Sequence, residues 1–350
     1  MVMLARRFIS TKAHLLSAIG LTMVLAGCGE QQPSSTSAAP AVARGGSRQQ
    51  FLEGYRAYTQ HNWPAAMSDL RAAADSYPQL GDYSLYYLSR SAFESGDLST
   101  AAASANRLIG TYPQSVMAMR ARVLLADIAL KQGHADQARD IAARVVESNV
   151  EGETERDARL KLAEAFLALG AGRGAYNQIQ ALRHKYPHGK GDAQARQMLS
   201  QVLRGHPELA PSGSSAHREE AELLMKEGQS SEALREIEAA LPGADGSQRA
   251  ELLWLEAKAL HSEPAREREA LESYLAVAPD GPVAPEALFQ LARGYWHENS
   301  TERAKDYFQR VVNQFPSSRV APQAMMSIGR IYEEVKQRPL YVVQDRLGVK

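Results

Sequence analysis

The sequence predicts an all-α fold, a superhelix of about seven stacked helical hairpins with a partial eighth, and three observations predict it. Alanines recur at Ala66, Ala101, Ala138, Ala175, Ala233, Ala270 and Ala304, with spacings of 35, 37, 37, 58, 37 and 34. Twelve residues before them stand Gly54, Ser89, Ala126, Ala163, Ala221, Lys258 and Ala292, and four after them stand Leu70, Ala105, Ala142, Ile179, Ile237, Tyr274 and Phe308. Twelve after five of them come Pro78, Pro113, Pro187, Pro282 and Pro316. A small residue where two helices cross lets their axes approach to about 8 Å, and the apolar residues around it fill the groove. A proline disfavours helix in the residue before it, so Tyr77-Pro78, Tyr112-Pro113, Tyr186-Pro187 and Phe315-Pro316 should end each second helix. Gly96, Gly133, Gly170 and Gly228 supply the turn within a pair.

Composition bounds the rest. With 44% hydrophobic and 23% charged residues, the chain has enough apolar material to fold, which excludes disorder throughout. Lys plus Arg equals Asp plus Glu at 40 each, so no global basic field exists to hold nucleic acid by charge. The single cysteine can form neither an internal disulfide nor a Cys-rich zinc site.

The chain opens on a charged start, Arg6, Arg7 and Lys12, followed by an uncharged run from Leu15 to Val24. That run is too short to span a bilayer, which needs about 20 apolar residues, and reads as a secretory signal peptide over residues 1–27. Leu25-Ala26-Gly27-Cys28 resembles the lipobox of bacterial lipoproteins. The resemblance implies that Cys28 is lipidated and becomes the N-terminal residue after cleavage. Several acyl chains, at about 0.8 kcal/mol per buried CH₂, would hold the protein to a membrane. Gly29 rather than Asp after the cysteine implies the outer membrane, facing the periplasm. Cleavage takes away three cations and leaves 37 against 40 anionic residues. Residues 28–48, rich in Ser, Ala, Pro and Gly, read as the lipidated cysteine and a flexible tether.

Residues 49–204 are read as a first array of four repeats plus an extra helix over Asp192 to Leu203. The long spacing of 58 places a linker at 205–216, where Gly, Pro and Ser cluster. Residues 217–350 hold three repeats and a partial eighth, whose first helix runs over Pro322 to Lys336 and whose second would start at Pro339.

These units resemble the tetratricopeptide repeat, a pair of antiparallel helices with small residues at the crossing and proline at the exit. The stretch Leu288, Ala292, Tyr295, Ala304, Phe308 and Pro316 carries nearly every consensus position, whereas the first repeat has Glu53 where Leu is usual. With the lipoprotein leader and the segment Tyr83 to Gly96, the folded part is also similar to the N-terminal superhelical region of periplasmic lytic murein transglycosylases. Outer-membrane assembly lipoproteins are similar in the same way. The transglycosylase resemblance implies a catalytic Glu-Ser motif in a separate domain. None of Glu94, Glu147 and Glu272, each followed by Ser, carries the rest of that motif, so the catalytic domain is expected to be absent and the chain not to be an enzyme.

Other chemistry finds no constellation. Gly170 to Ala175 has the look of a dinucleotide fingerprint but follows a helix rather than a strand. His184 and His188 have helical spacing, with Pro187 between them and no third ligand near. Glu219, Glu220 and Glu222 read as a solvated helix face. Neither metal nor cofactor is expected.

What remains is a binding surface. In the repeat family the first helices line the concave side, and the positions facing it give Tyr86, Arg90 and Phe93 in the second repeat and Phe289, Arg293 and Trp296 in the seventh. Tyr83 and His297 share that face. An arginine between two rings can grip a carboxylate while the rings bury apolar or sugar surface. Alternatively, the rings pack between neighbouring helices and the arginine covers them. The expected role is a scaffold holding an envelope protein or peptide. The scaffold half of a transglycosylase and a binder of peptidoglycan fragments are the alternatives, which would make peptidoglycan or a murein hydrolase the partner.

Overall fold

The computed structural model describes residues 41–188 and 192–336, and these form sixteen α-helices with no strand among them. Four hairpins come first: α1 (Ala41–Thr59) with α2 (Trp63–Ser76), α3 (Gly81–Ser95) with α4 (Leu98–Thr111), α5 (Val116–Lys131) with α6 (Ala135–Glu147), and α7 (Glu153–Ala168) with α8 (Gly172–Lys185). The extra helix α9 (Asp192–Gly205) follows. Three more hairpins are α10 (Ser214–Lys226) with α11 (Ser230–Ala240), α12 (Gly246–Ala259) with α13 (Pro264–Val277), and α14 (Ala284–His297) with α15 (Thr301–Gln314), before the unpaired α16 (Ala321–Lys336). Consecutive helices pack on one another from α2 to α9 and again from α10 to α16, and first helices also touch the next first helix, as α3 does α5 and α5 does α7. That is the stacking of an α-solenoid, in which each hairpin buries its remaining apolar face on its neighbour.

The alanine column is the packing axis. Six of the seven alanines have no exposed surface, Ala270 is nearly as buried, and the whole column four residues on, from Leu70 to Phe308, is buried too. Where the crossing residue is Ser89 its hydroxyl stays satisfied by donating to the Ala101 carbonyl at 2.7 Å. Inside the hairpins Gly96, Gly133, Gly170 and Gly228 have positive φ, and His61 and Asn299 adopt the same left-handed turn in the first and seventh repeats. The residues before the prolines share one conformation, with φ/ψ of −131/76° at Tyr77, −128/58° at Tyr112, −133/65° at Tyr186 and −130/55° at Phe315.

The sixth repeat departs from the expected register. Lys258 is exposed and Ala257 holds the crossing position, and α13 ends at Val277 with Ala278 in the pre-proline conformation ahead of Pro279 rather than running to Pro282. Both shifts keep an alanine in the close contact; the loops take up the difference.

Within residues 205–216 the chain makes a 3-10 turn over Pro207–Leu209, and buried Leu209 joins the core formed with Leu160, Ile179 and Val202. Arg183 at the end of α8 reaches across to α10. Its guanidinium donates to Glu227 at 2.7 Å and pairs with Glu220 at 2.7 Å, with side-chain exposures of only 3%, 4% and 14%. Glu220 is therefore not part of a solvated face. The contacts do not divide the repeats from Gly46 onward into separate units. None of the described helices is long and apolar enough to cross a membrane.

Candidate partner-binding surface

The first helices of successive repeats form one wall, and its clefts lie between them. In the first array Tyr86 and Arg90 stand one turn apart on α3, both half-buried. They edge a cleft of about 180 Å³ that continues over Val123 and Asp127 of α5 to Asp157 and Lys161 of α7. Arg90 donates to Glu94 at 2.8 Å. Lys161 pairs with Asp127 at 3.0 Å and Glu164 at 3.1 Å. Burial works against the Lys161 charge, but these two carboxylates outweigh it and raise its pKa. Burial first, and Glu153 second, push the Asp157 carboxyl up, while burial pushes the Tyr86 phenol up.

Phe93 does not belong to this wall. It is 5% exposed, packed in the core with Ala92, Ala101, Leu124 and Ile128, and the Lys131 ammonium sits 3.7 Å from its ring centroid. The i+3 step from Arg90 turns it into the stack, so the second-repeat triplet supplies two surface residues rather than three. Tyr83 packs at the edge of the neighbouring core. A tyrosine group the sequence reading missed stands beside Tyr86: Tyr87 meets it at 5.4 Å and contacts Tyr55 and Tyr58 of α1 at 4.9 and 5.0 Å. The spacing of Tyr55 and Tyr58 along one helix face was the available signal.

The seventh-repeat triplet stays together. Phe289, Arg293 and Trp296 line a groove of about 670 Å³ between α14 and α16, with His297, Ser327 and Arg330. Phe289 and Trp296 also pack edge-on against buried Phe308, at 5.4 Å and 62° and at 6.1 Å and 89°. The rings thus serve both the core and the groove, and Arg293 is exposed. Two arginines and no carboxylate line this groove, so its field favours an anionic group.

A further pocket, of about 680 Å³, lies between α10 and α12, with Trp254 in its wall; sequence reasoning missed it because Trp254 stands alone, outside any triplet. On the opposite side, a cleft of about 760 Å³ runs between second helices α4 and α6 over α5, edged by Asn106, Arg122, Asp140 and Arg144. Among the described residues no cluster of His, Cys, Asp and Glu could hold a metal ion. Cys28 lies outside the described residues.

Residues 50–197 match the family model of a tetratricopeptide repeat-like domain, and residues 286–318 match that of a tetratricopeptide repeat. Those two stretches carry tetratricopeptide-like repeats. Among solved structures, it is similar to a tetratricopeptide repeat protein from Parabacteroides merdae ATCC 43184, at 14% identity over 81% of this chain and 98% of that one, with a TM-score of 0.35. It is similar to the TPR2AB domain of yeast Sti1 in its complex with pHSP90, at 12% identity over 83% and 98%, with a TM-score of 0.29. It is also similar to MamA from Desulfovibrio magneticus RS-1, at 15% identity over 57% and 97%, with a TM-score of 0.29. Among curated proteins no sequence matches. The repeats at 50–197 contain the Arg90 cleft, and the repeat at 286–318 supplies Phe289, Arg293 and Trp296 to the groove whose other wall is α16.

Proposed function

We propose that this protein is a non-enzymatic scaffold of the bacterial envelope, anchored through a lipid on Cys28, that holds a protein or peptide partner along its first-helix wall. The observation that carries the binding role is the α14–α16 groove, in which Arg293 and Arg330 stand with two aromatic rings and no lining carboxylate. A partner carboxylate bound there would meet planar donors over an apolar floor, the combination that concentrates binding energy at interfaces. The Tyr86–Arg90 pair would take a second stretch of the same partner. The envelope location rests on the leader and the lipobox of the sequence.

Three measurements test this. Cys28→Ser should appear as an uncleaved or soluble form, and recovery of that variant in the outer-membrane fraction at the wild-type level would remove the anchor. Cross-linked pull-down from envelope extract should lose its partner with Arg293→Ala, and more fully with Arg90→Ala/Arg293→Ala. Retention of the partner by the double variant would remove the wall. Release of soluble peptidoglycan fragments by the purified chain would overturn the non-enzymatic reading.

A further inference from the structure

The pocket between α10 and α12 belongs to neither aromatic-arginine triplet. Its wall is apolar, with Met225 from α10, Ala250 and Trp254 from α12, and Val277 and Val283 around the end of α13. Trp254 is half-buried, tilted against the buried Tyr274 ring at 6.1 Å, which fixes the indole while leaving part of it open to the pocket. At about 680 Å³ the space suits a bulky side chain and its neighbours rather than a whole folded partner.

The charges on its lip are not evenly matched. Arg218 of α10 is paired with Glu251 of α12 and lies 3.6 Å from Glu222, so the acids at that end are already engaged. Two turns further on, at the C-terminal ends of α10 and α12, stand Lys226 and Lys258, both exposed, and among the described residues neither has a carboxylate within ion-pair distance. The pocket therefore has one end where a single arginine holds two carboxylates, an indole in the middle and a cationic end with no carboxylate partner. The register shift in the sixth repeat produces this: with Ala257 in the close contact, Lys258 turns outward to the lip instead of into the stack.

We infer that this pocket is a further docking site on the wall, for a segment of a protein partner that inserts a bulky apolar side chain against Trp254 and sets an acidic residue beside it on Lys226 and Lys258. Burying the apolar anchor supplies the affinity, and the lysine pair selects acidic over basic flanks. The inference rests on the reading of the first-helix wall as partner-binding, but uses residues that the α14–α16 groove does not share.

The test is panning of a displayed library of random dodecapeptides on the full chain, followed by fluorescence anisotropy of the enriched peptides. The expected result is enrichment of sequences with an aromatic or large aliphatic residue next to Asp or Glu. Their affinity should fall by about tenfold or more with Trp254→Ala and by about tenfold with Lys226→Glu/Lys258→Glu, a change the exposed lysines permit without touching the core. Peptides that bind and respond to Arg293→Glu, but stay within about twofold for both pocket variants, would overturn this inference and leave the groove reading intact. Peptides that respond to the pocket variants and ignore Arg293→Glu would support the pocket and count against the groove. Absence of any enrichment over an unrelated protein would overturn both.

Discussion

Glu155 shows how one residue holds a repeat together. Its carboxylate, 3% exposed, accepts from Lys185 at 2.6 Å, from the Tyr186 hydroxyl at 2.7 Å and from Arg159 at 2.9 Å, and Tyr186 in turn accepts from the Gly152 N–H at 3.0 Å. Burial alone would push the carboxyl up, but these hydrogen bonds outweigh it and hold the pKa down at about 2. With the folded-state value below the unfolded one, the stabilisation is complete above the ordinary carboxylate range and is lost as pH falls toward 2. Discounted for the half-open Lys185, it amounts to about 1–2 kcal/mol. Glu155→Gln should therefore lower stability at pH 7 by that amount and flatten the acid limb of a urea-midpoint titration. An unchanged acid limb would contradict the linkage.

The same tyrosine position acts at the Tyr112-Pro113 pair through contact. The Tyr112 hydroxyl lies where a Cβ on Gly81 would come within 2.1 Å. Gly81→Ala should cost about 1–3 kcal/mol, and the same change in a Tyr112→Ala background close to nothing, as read by a double-mutant cycle of chemical denaturation. The sequence shows these tyrosines as helix terminators. That each also folds back onto the start of its own hairpin's first helix depends on a contact across some thirty residues, which no local pattern encodes.

At the scale of elements, hairpin geometry was legible because it is set locally. The small-residue column, the glycine turns and the pre-proline bends are each decided within a few residues, and all three reappear in the structure. The slip at Lys258 was not legible, because a fixed offset cannot detect a loop longer by one residue. Phe93 was misplaced for a related reason: on a helix whose apolar arc is wide, a residue three positions from a half-buried arginine still falls on the buried side. Gly96 has φ of 88° with open space around it, so Gly96→Ala should cost only the backbone strain, about 1 kcal/mol, with no repacking. A thermal-unfolding series of Gly96→Ala and Gly133→Ala should show equal small losses.

For the whole molecule the decisive joint is Arg183. Stacked repeats transmit order only through their interfaces, and the seam between α8 and α10 is held by a buried arginine on Glu220 and Glu227. Arg183→Ala leaves two carboxylates buried without their partner, at a cost of about 3–5 kcal/mol. Calorimetry should then show two transitions in place of one, with faster proteolysis between Gly205 and Ser214; a single transition at the wild-type midpoint would contradict the coupling. The sequence marked this region as a break by its Gly, Pro and Ser, and the chemistry that closes it lay in side chains 37 and 44 residues apart.

The wall itself is tested most directly by site-specific photo-crosslinking in cells, with the photoreactive residue placed at Phe289, Arg293 or Trp254 on the first helices, or at Asn106 or Arg144 on the second helices. Discrete adducts of one mass should form from the three first-helix positions and not from the other two. Adducts confined to Asn106 and Arg144 would show that the partner rides on the outside of the stack.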